Sequence, residues 1–389
     1  MKKRNLIGIG ILAAALLAGC GASQTTQSTA QSSAAPAGEA AGQESAEGAS
    51  EAAKGAASDT DFSAILSKEP SGKKIVVATN NASGGRDAWL LERAKEAGFQ
   101  IEIVPLGGGD ITARVISEVN NPTTNVVWGP SEDQFTSMIE ANALAPFTPD
   151  WAEDVAGVSK ENGYSWPYEI QPKLLICNPD TYTEETAPKS YQDLWTKEEF
   201  KGKYAVPTSF EGNTNRAIVG GILAQYLDES GELGVSEEGW DAIKAYFANG
   251  YKTPKGEDDF GNMASGKVPV TFTFASGLKG KMESFGVTPR IIYTEAGEPT
   301  NTNQIGVVQT KEQEAVEESM RFANWLGSAD IIGAYAKDNG NIVANKKAES
   351  QMSDIAKEIK ANYKPQEADW AYINSMMDEW VAKIQLELY

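Results

Sequence analysis

Five short segments concentrate groups able to hold a polar solute: residues 80–87, 107–110, 128–131, 209–216 and 274–277. Each is rich in Gly, Asn, Ser or Thr and stands where an apolar run gives way to a helical pattern. Loops of this kind outside the carboxyl ends of strands feed helix N-termini, whose unpaired N–H groups and partial positive charge suit an anion. The residues expected to share one cleft are Asn80, Asn81, Ser83, Gly84, Arg86, Gly108, Gly109, Asp110, Trp128, Ser131, Ser209, Asn213, Thr214, Asn215, Arg216, Ser276 and Gly277. Gly and Asn serve any turn that needs a positive φ, so the inference rests on the five segments together.

Arginine placement adds to this. Beyond the N-terminal Arg4 the chain has only Arg86, Arg93, Arg114, Arg216, Arg290 and Arg321, and two of them, Arg86 and Arg216, fall in these loops. A guanidinium offers a planar fork of donors matched to carboxylate or phosphate. The competing expectation pairs each with a local carboxylate such as Asp87 or Glu211.

Catalysis has little to build on. Histidine is absent from all 389 residues, which removes Ser-His-Asp and Cys-His nucleophile activation and His-ligated zinc. Walker A, GxGxxG and CxxC patterns are absent too, so no cofactor is expected. Paired carboxylates remain the one open enzymatic route. The residue set points to binding without chemistry and without a resident metal.

The elements that must position these loops are legible. Residues 75–78, 101–104 and 125–128 are apolar runs of strand length, each followed by a turn-rich loop and a helical pattern. Alternating strands and helices imply parallel pairing through right-handed crossovers. Later strand-like runs are 174–177, 204–206, 268–274, 290–293 and 305–308, with helices suggested by Ile218/Ile222/Tyr226, Trp240/Ile243/Phe247 and Val316/Met320/Phe322/Leu326. About 330 residues from Phe62 onward are too many for one ordinary core. The expected class is α/β in two lobes, each a mainly parallel sheet flanked by helices, with the ligand cleft between them. Lobe 1 is expected at roughly 70–170 plus part of 290–345, and lobe 2 at roughly 171–289 plus the C-terminal helices.

Ahead of this lies an address. Lys2, Lys3 and Arg4 precede an apolar run from Ile7 to Leu17, which ends in Leu17-Ala18-Gly19-Cys20. A basic start, a short apolar stretch and small residues describe an export signal over 1–19, and Cys20 at its end resembles the lipobox of bacterial lipoproteins. That resemblance implies lipidation of Cys20 and a place on the outer side of the cytoplasmic membrane. Residues 20–61 contain no aromatic before Phe62 and cannot bury enough surface to order, so a disordered tether is expected there. The formal charge of −20 becomes −23 once Lys2, Lys3 and Arg4 leave with the signal, which argues against nucleic acid and anionic lipid surfaces as partners. Of two cysteines only Cys177 would remain, so no internal disulfide forms.

Several stretches together resemble a family, the extracellular solute-binding proteins of ABC importers, in the branch of ferric, sugar-phosphate, phosphonate, thiamine and polyamine binders. They are GGGDITARVISEVNNPTTNVVWGPSEDQF at 107–135, CNPD at 177–180, PTSFEGNTNRA at 207–217, VPVTFTFASG at 268–277, RFANWLGSADI at 321–331 and DWAYINSMMDEWVAKI at 369–384. The resemblance implies two lobes over 62–389 that close on a small solute, and delivery by a monomer to a permease and ATPase. It does not choose the solute. Ferric binders of the branch carry adjacent tyrosines where this chain has Ala275-Ser276-Gly277. A polyamine or thiamine would need aromatics and carboxylates, of which Trp128, Trp166, Tyr168, Phe210, Phe272, Phe274, Asp87, Asp110, Glu132 and Glu211 lie in or near the loops. The anionic, phosphate- or phosphonate-bearing solute is the leading expectation, with cationic and ferric solutes, and a ligand sensor in place of an importer component, as alternatives.

Since residues 1–20 hold the only membrane signal, Cys20→Ser should release the protein to the medium or leave an unprocessed precursor, with the folded part intact. Membrane fractionation reads the outcome, and a processed form retained on the membrane contradicts lipidation.

Overall fold

The computed structural model describes residues 61–155 and 163–388. The expected signal, Cys20 and the tether up to residue 60 lie outside the described residues.

The first half follows the strand–helix alternation. Strand β1 (Lys74–Thr79) leads to helix α1 (Arg86–Glu96), β2 (Gln100–Pro105) to α2 (Gly108–Ser117), and β3 (Val126–Ser131) to α3 (Glu132–Glu140). After the short β4 (Leu144–Ala145) comes β5 (Ser165–Cys177), then β6 (Ala205–Val206), α4 (Asn213–Leu223), β7 (Leu227–Glu232), α5 (Glu237–Asn249) and β8 (Tyr251–Lys252). The remainder is β9 (Val270–Phe274), α6 (Ala275–Phe285), β10 (Arg290–Ile292), β11 (Thr300–Val308), α7 (Gln313–Leu326), α8 (Ala329–Asn339), β12 (Ile342–Val343), α9 (Asp354–Asn362) and α10 (Trp370–Lys383).

The α/β class stands, while the strand pairing is mixed instead of mainly parallel. β1 pairs in parallel with β2 and β3, and β6 with β8. The large sheet, ordered β10-β5-β11-β3-β1-β2, is otherwise antiparallel. The cause is β5, which the sequence reading began at Leu174 but which runs for 13 residues. Its first part, Ser165 to Pro172, pairs with β11, and its last part, Lys173 to Cys177, pairs with β9. One strand therefore crosses from one lobe into the other. The strand's early residues are half polar, with no unbroken apolar run to mark them.

Side-chain alternation along the strands sorts the cores. In β1, Ile75 and Val77 join one cluster while Ala78 faces another, and in β3 Val126 and Trp128 part from Val127 in the same way. Strand residues alternate faces with a period of two, so helices must cover both sides. Helices α2 and α3 cover one side through Ile111, Val115, Phe135 and Met138. Helices α7 and α8 cover the other through Val316, Phe322, Ile332 and Tyr335. In the second lobe Ile218 and Ile222 of α4, Trp240 and Ile243 of α5, and Ile373, Met377 and Trp380 of α10 build a separate cluster. The C-terminal helices divide between the clusters: α9 buries Ala356 and Ile359 in the first, α10 packs in the second.

The N-terminal edge is tied down by Glu318 of α7, fully buried. Its carboxylate accepts the backbone N–H groups of Ser71 (3.0 Å) and Gly72 (3.2 Å) and two guanidinium N–H bonds from Arg321 (2.9 and 2.6 Å). Glu318→Ala leaves Arg321 buried without its main partner and frees the segment that enters β1. The expected loss is about 3–5 kcal/mol, the cost of breaking a buried pair from one side, read as a lowered urea midpoint with unchanged slope.

Candidate functional site

A cavity of about 180 Å³ opens where the two lobes meet. Its walls come from five places in the chain: the loop after β1 (Asn80, Asn81, Ser83) with Arg86 of α1, the β3–α3 junction (Ser131, Gln134), the crossing segment of β5 (Gln171, Lys173), the start of α4 (Asn213, Thr214), and the β9–α6 junction (Phe274, Ser276), completed by Asn301 and Asn303 of β11.

Eight of the seventeen residues expected to share a cleft line this cavity: Asn80, Asn81, Ser83, Arg86, Ser131, Asn213, Thr214 and Ser276. Gly84 and Gly277 line an adjoining cavity. The others do other work. Trp128 is fully buried, its ring 5.6 Å from that of Tyr168 and 5.3 Å from that of Tyr335, because its position in β3 faces the core. Gly109 and Asp110 are exposed on the first turn of α2. Gly108 lets α2 approach α3: a Cβ there would stand 2.5 Å from Oε1 of Gln134. Ser209 and Asn215 close their own loop, with the Asn215 amide donating to the Ser209 carbonyl at 2.8 Å. Arg216 turns to Asp378 of α10 and does not reach the cavity.

Local geometry explains how the loops come so close. Gly129 has φ +116°, and a Cβ there would collide with Asn80 Oδ1 at 2.1 Å. Only glycine allows β3 to end beside the loop after β1. At α3, Gln134 Oε1 accepts the Ser131 backbone N–H at 3.1 Å, a capping box that holds both side chains at the cavity wall. By contrast α1, α4 and α6 begin at Gly85, Gly212 and Phe274 with no side-chain cap. In α6 the Ser276 N–H is instead taken by Gln171 Oε1 of β5 at 3.1 Å, and in α1 the Ala88 N–H by Asp87 Oδ1 at 2.8 Å.

Two cations meet here. The Arg86 guanidinium donates to the Ser276 carbonyl at 2.8 Å, spanning the cleft from α1 to α6. Lys173 is buried, and its ammonium donates to the Gln171 carbonyl at 3.0 Å and to Asn301 Oδ1. Burial lowers the Lys173 pKa to about 7, against the pull of Glu169, Asp133 and Glu132. Beneath the floor lies Glu169, also fully buried, accepting amide N–H groups of Gln171 (3.2 Å), Asn303 (2.9 Å) and Asn341 (2.7 Å). Burial pushes its carboxyl above the usual range, while Arg86, Asn303 and Asn341 act the other way. Glu132 turns aside to the Thr302 N–H at 3.0 Å.

Gln134, Gln171, Lys173, Asn301 and Asn303 were absent from the sequence-derived set. All but Gln134 lie within strands, where the loop criterion does not look. The polar run Thr300-Asn301-Thr302-Asn303-Gln304 inside an otherwise apolar β11 was the available signal. Among the described residues, no group of three or more Asp, Glu, Cys or His is placed to hold a metal ion.

Residues 88–364 match the family described as bacterial extracellular solute-binding protein. The protein named "Probable ABC transporter periplasmic-binding protein y4fP" of Sinorhizobium fredii is 30% identical over 309 residues, covering 78% of this chain and 84% of that one. Among solved structures, iron-bound HitA from Pseudomonas aeruginosa aligns at TM-score 0.64 and 17% identity, over 79% of this chain and 98% of its own. AfuA from Actinobacillus pleuropneumoniae with exogenous fructose-6-phosphate bound aligns at TM-score 0.64 and 16% identity, over 81% and 99%. At these identities the structural likeness speaks for the two-lobed fold.

The Lys173 environment gives a stability test. Its folded pKa lies below the unfolded value of about 10.4, so between the two the unfolded chain holds more protons and this group's contribution to stability rises with pH. Relative to Lys173→Met, the parent protein should gain stability as pH goes from 6 to 9, measured by urea unfolding. A difference independent of pH means that Lys173 is not desolvated.

Proposed function

Because the chain belongs to the bacterial extracellular solute-binding protein family, we propose that it captures a small organic phosphate or phosphonate outside the membrane and passes it to an ABC permease and ATPase. The carrying observation is the charge pattern of the cavity: Arg86 and Lys173 both line it, no carboxylate does, and the rest of the wall is almost wholly amides and hydroxyls. Guanidinium and ammonium bind phosphate oxygens through charge-assisted bonds, and amides with hydroxyls match a hydroxylated body. The start of α4, whose Asn213 and Thr214 line the cavity, adds partial positive charge.

A cationic solute is a poorer fit, since Glu169 is spent on three amides below the floor and Glu132 on Thr302. A ferric ion would find neither a tyrosine pair in the stretch Ala275-Ser276-Gly277 nor, among the described residues, an acidic cluster. On this reading the protein works as a monomer held by lipidated Cys20, as an importer component in place of a sensor. The seventeen residues first expected at the cleft reduce to the eight on the cavity, joined by the five strand and helix residues beside them.

Thermal-shift screening with inorganic phosphate, glycerol 3-phosphate and hexose 6-phosphates should raise the melting temperature for at least one of them, because a ligand of the native state adds stability by mass action. With the best of these in calorimetry, Arg86→Ala or Lys173→Met should each weaken binding roughly 10- to 150-fold, the effect of losing one charge-assisted bond. Arg216→Ala should leave affinity unchanged. Tighter binding in the Arg86 variant would signal a cationic solute.

A further inference from the structure

The cavity continues. Past Arg86, Ser83, Phe274 and Ser276, which line both spaces, lies an outer cavity of about 520 Å³. Its lining differs in kind from the inner one: it holds two phenyl rings, Phe274 and Phe285, and two carboxylates, Glu283 and Asp338. Phe274 lies over Gly277, where an added Cβ would meet its ring at 2.6 Å, so the glycine leaves room for this ring at the boundary of the two spaces. Phe285 is 43% exposed, a large apolar surface left open at the outer end.

Of the four charged side chains on this wall, internal pairing leaves Arg86 at the boundary and Asp338 farther out. Lys279 neutralises Glu283 at 2.6 Å, and Lys281 pairs with Asp258 at 3.0 Å. Asp338, at the end of α8, takes a 3.0 Å hydrogen bond from the neutral indole N–H of Trp89, and the Lys279 ammonium reaches its main-chain carbonyl at 3.0 Å. No ion pair to the Asp338 carboxylate is formed among the described residues. The cleft is therefore polarised along its length, positive inside at Arg86 and Lys173, negative outside at Asp338 beside aromatic faces.

Resting on the phosphate reading above, we infer that the solute is zwitterionic: its phosphate or phosphonate sits in the inner cavity and an alkylammonium group at its other end sits in the outer one, against Phe274, Phe285 and Asp338. Aromatic faces attract ammonium groups through the ring quadrupole, most strongly where water is displaced. A carboxylate held only by a neutral donor supplies the matching charge. Arg86, at the boundary, holds the anionic end away from Asp338 and so sets the solute's direction in the cleft.

Calorimetry on the purified protein separates the two ends, using phosphocholine and its neutral carbon isostere 3,3-dimethylbutyl phosphate. Phosphocholine should bind about tenfold tighter, the scale of one cation–π and ion-pair contact. That preference should shrink in Asp338→Asn and in Phe274→Leu, whereas Arg86→Ala should weaken both ligands alike. Equal affinity for the two ligands in the parent protein, or an undiminished preference in both variants, overturns the ammonium seat and leaves the phosphate reading standing. Failure of both ligands, together with inorganic phosphate, glycerol 3-phosphate and the hexose 6-phosphates, removes the phosphate reading and this inference with it.

Discussion

One strand has to belong to both lobes. Along β5 the even positions Trp166, Tyr168, Leu174 and Ile176 all enter the first core, with Ile170 packed against it. On the opposite face Leu175 and Cys177 enter the second core. On that face, ahead of Leu175 and Cys177, stand Glu169, Gln171 and Lys173, where the pairing of β5 passes from β11 to β9. A strand changes face with every residue, so these three polar side chains fall on one side, in the gap between lobes. The binding cleft is built around that gap.

Most of the site's electrostatics follows from this placement. Glu169 and Lys173 are buried because the lobes close over the crossing, and burial moves each toward its neutral form. Amides satisfy both: Gln171, Asn303 and Asn341 donate to the carboxyl, Asn301 accepts from the ammonium. β11 supplies two of these amides because it runs beside β5 with a register shift at Asn303 and Gln304. Such a bulge re-aims side chains at the point where it occurs. Arg86, reaching from α1 to the Ser276 carbonyl of α6, then joins the two lobes across the same opening.

The loops were legible because turn chemistry is local. Asn80, Asn81 and Ser83 after β1, Ser131 after β3, and Ser276 at the start of α6 stand beside the cleft since an apolar run ending in Gly, Asn and Ser marks a strand end wherever it occurs. Trp128 and Arg216 show where such reasoning stops. Trp128 sits one residue before Gly129, yet strand parity turns it into the core against Tyr168 and Tyr335. Arg216 shares the first turns of α4 with Asn213 and Thr214, but Asp378, 162 residues away in the chain, draws its guanidinium away from the cavity. Lys173 is the reverse case. Nothing in the run Lys173 to Cys177 distinguishes a strand that ends a lobe from one that joins two.

The sequence by itself determined the α/β class, the first three strand–helix units, the absence of histidine chemistry and the loops from which a site would be drawn. Each depends on neighbours within a few residues: periodicity, turn propensity and residue type. Only the tertiary structure decided which loops share one cavity, that β5 passes between lobes, and that Lys173 and Glu169 lose their water. Desolvation is a property of everything packed around a group, and apart from Gln171 the partners of these two named above come from β11, α1 and the α8–β12 turn, more than 80 residues away along the chain.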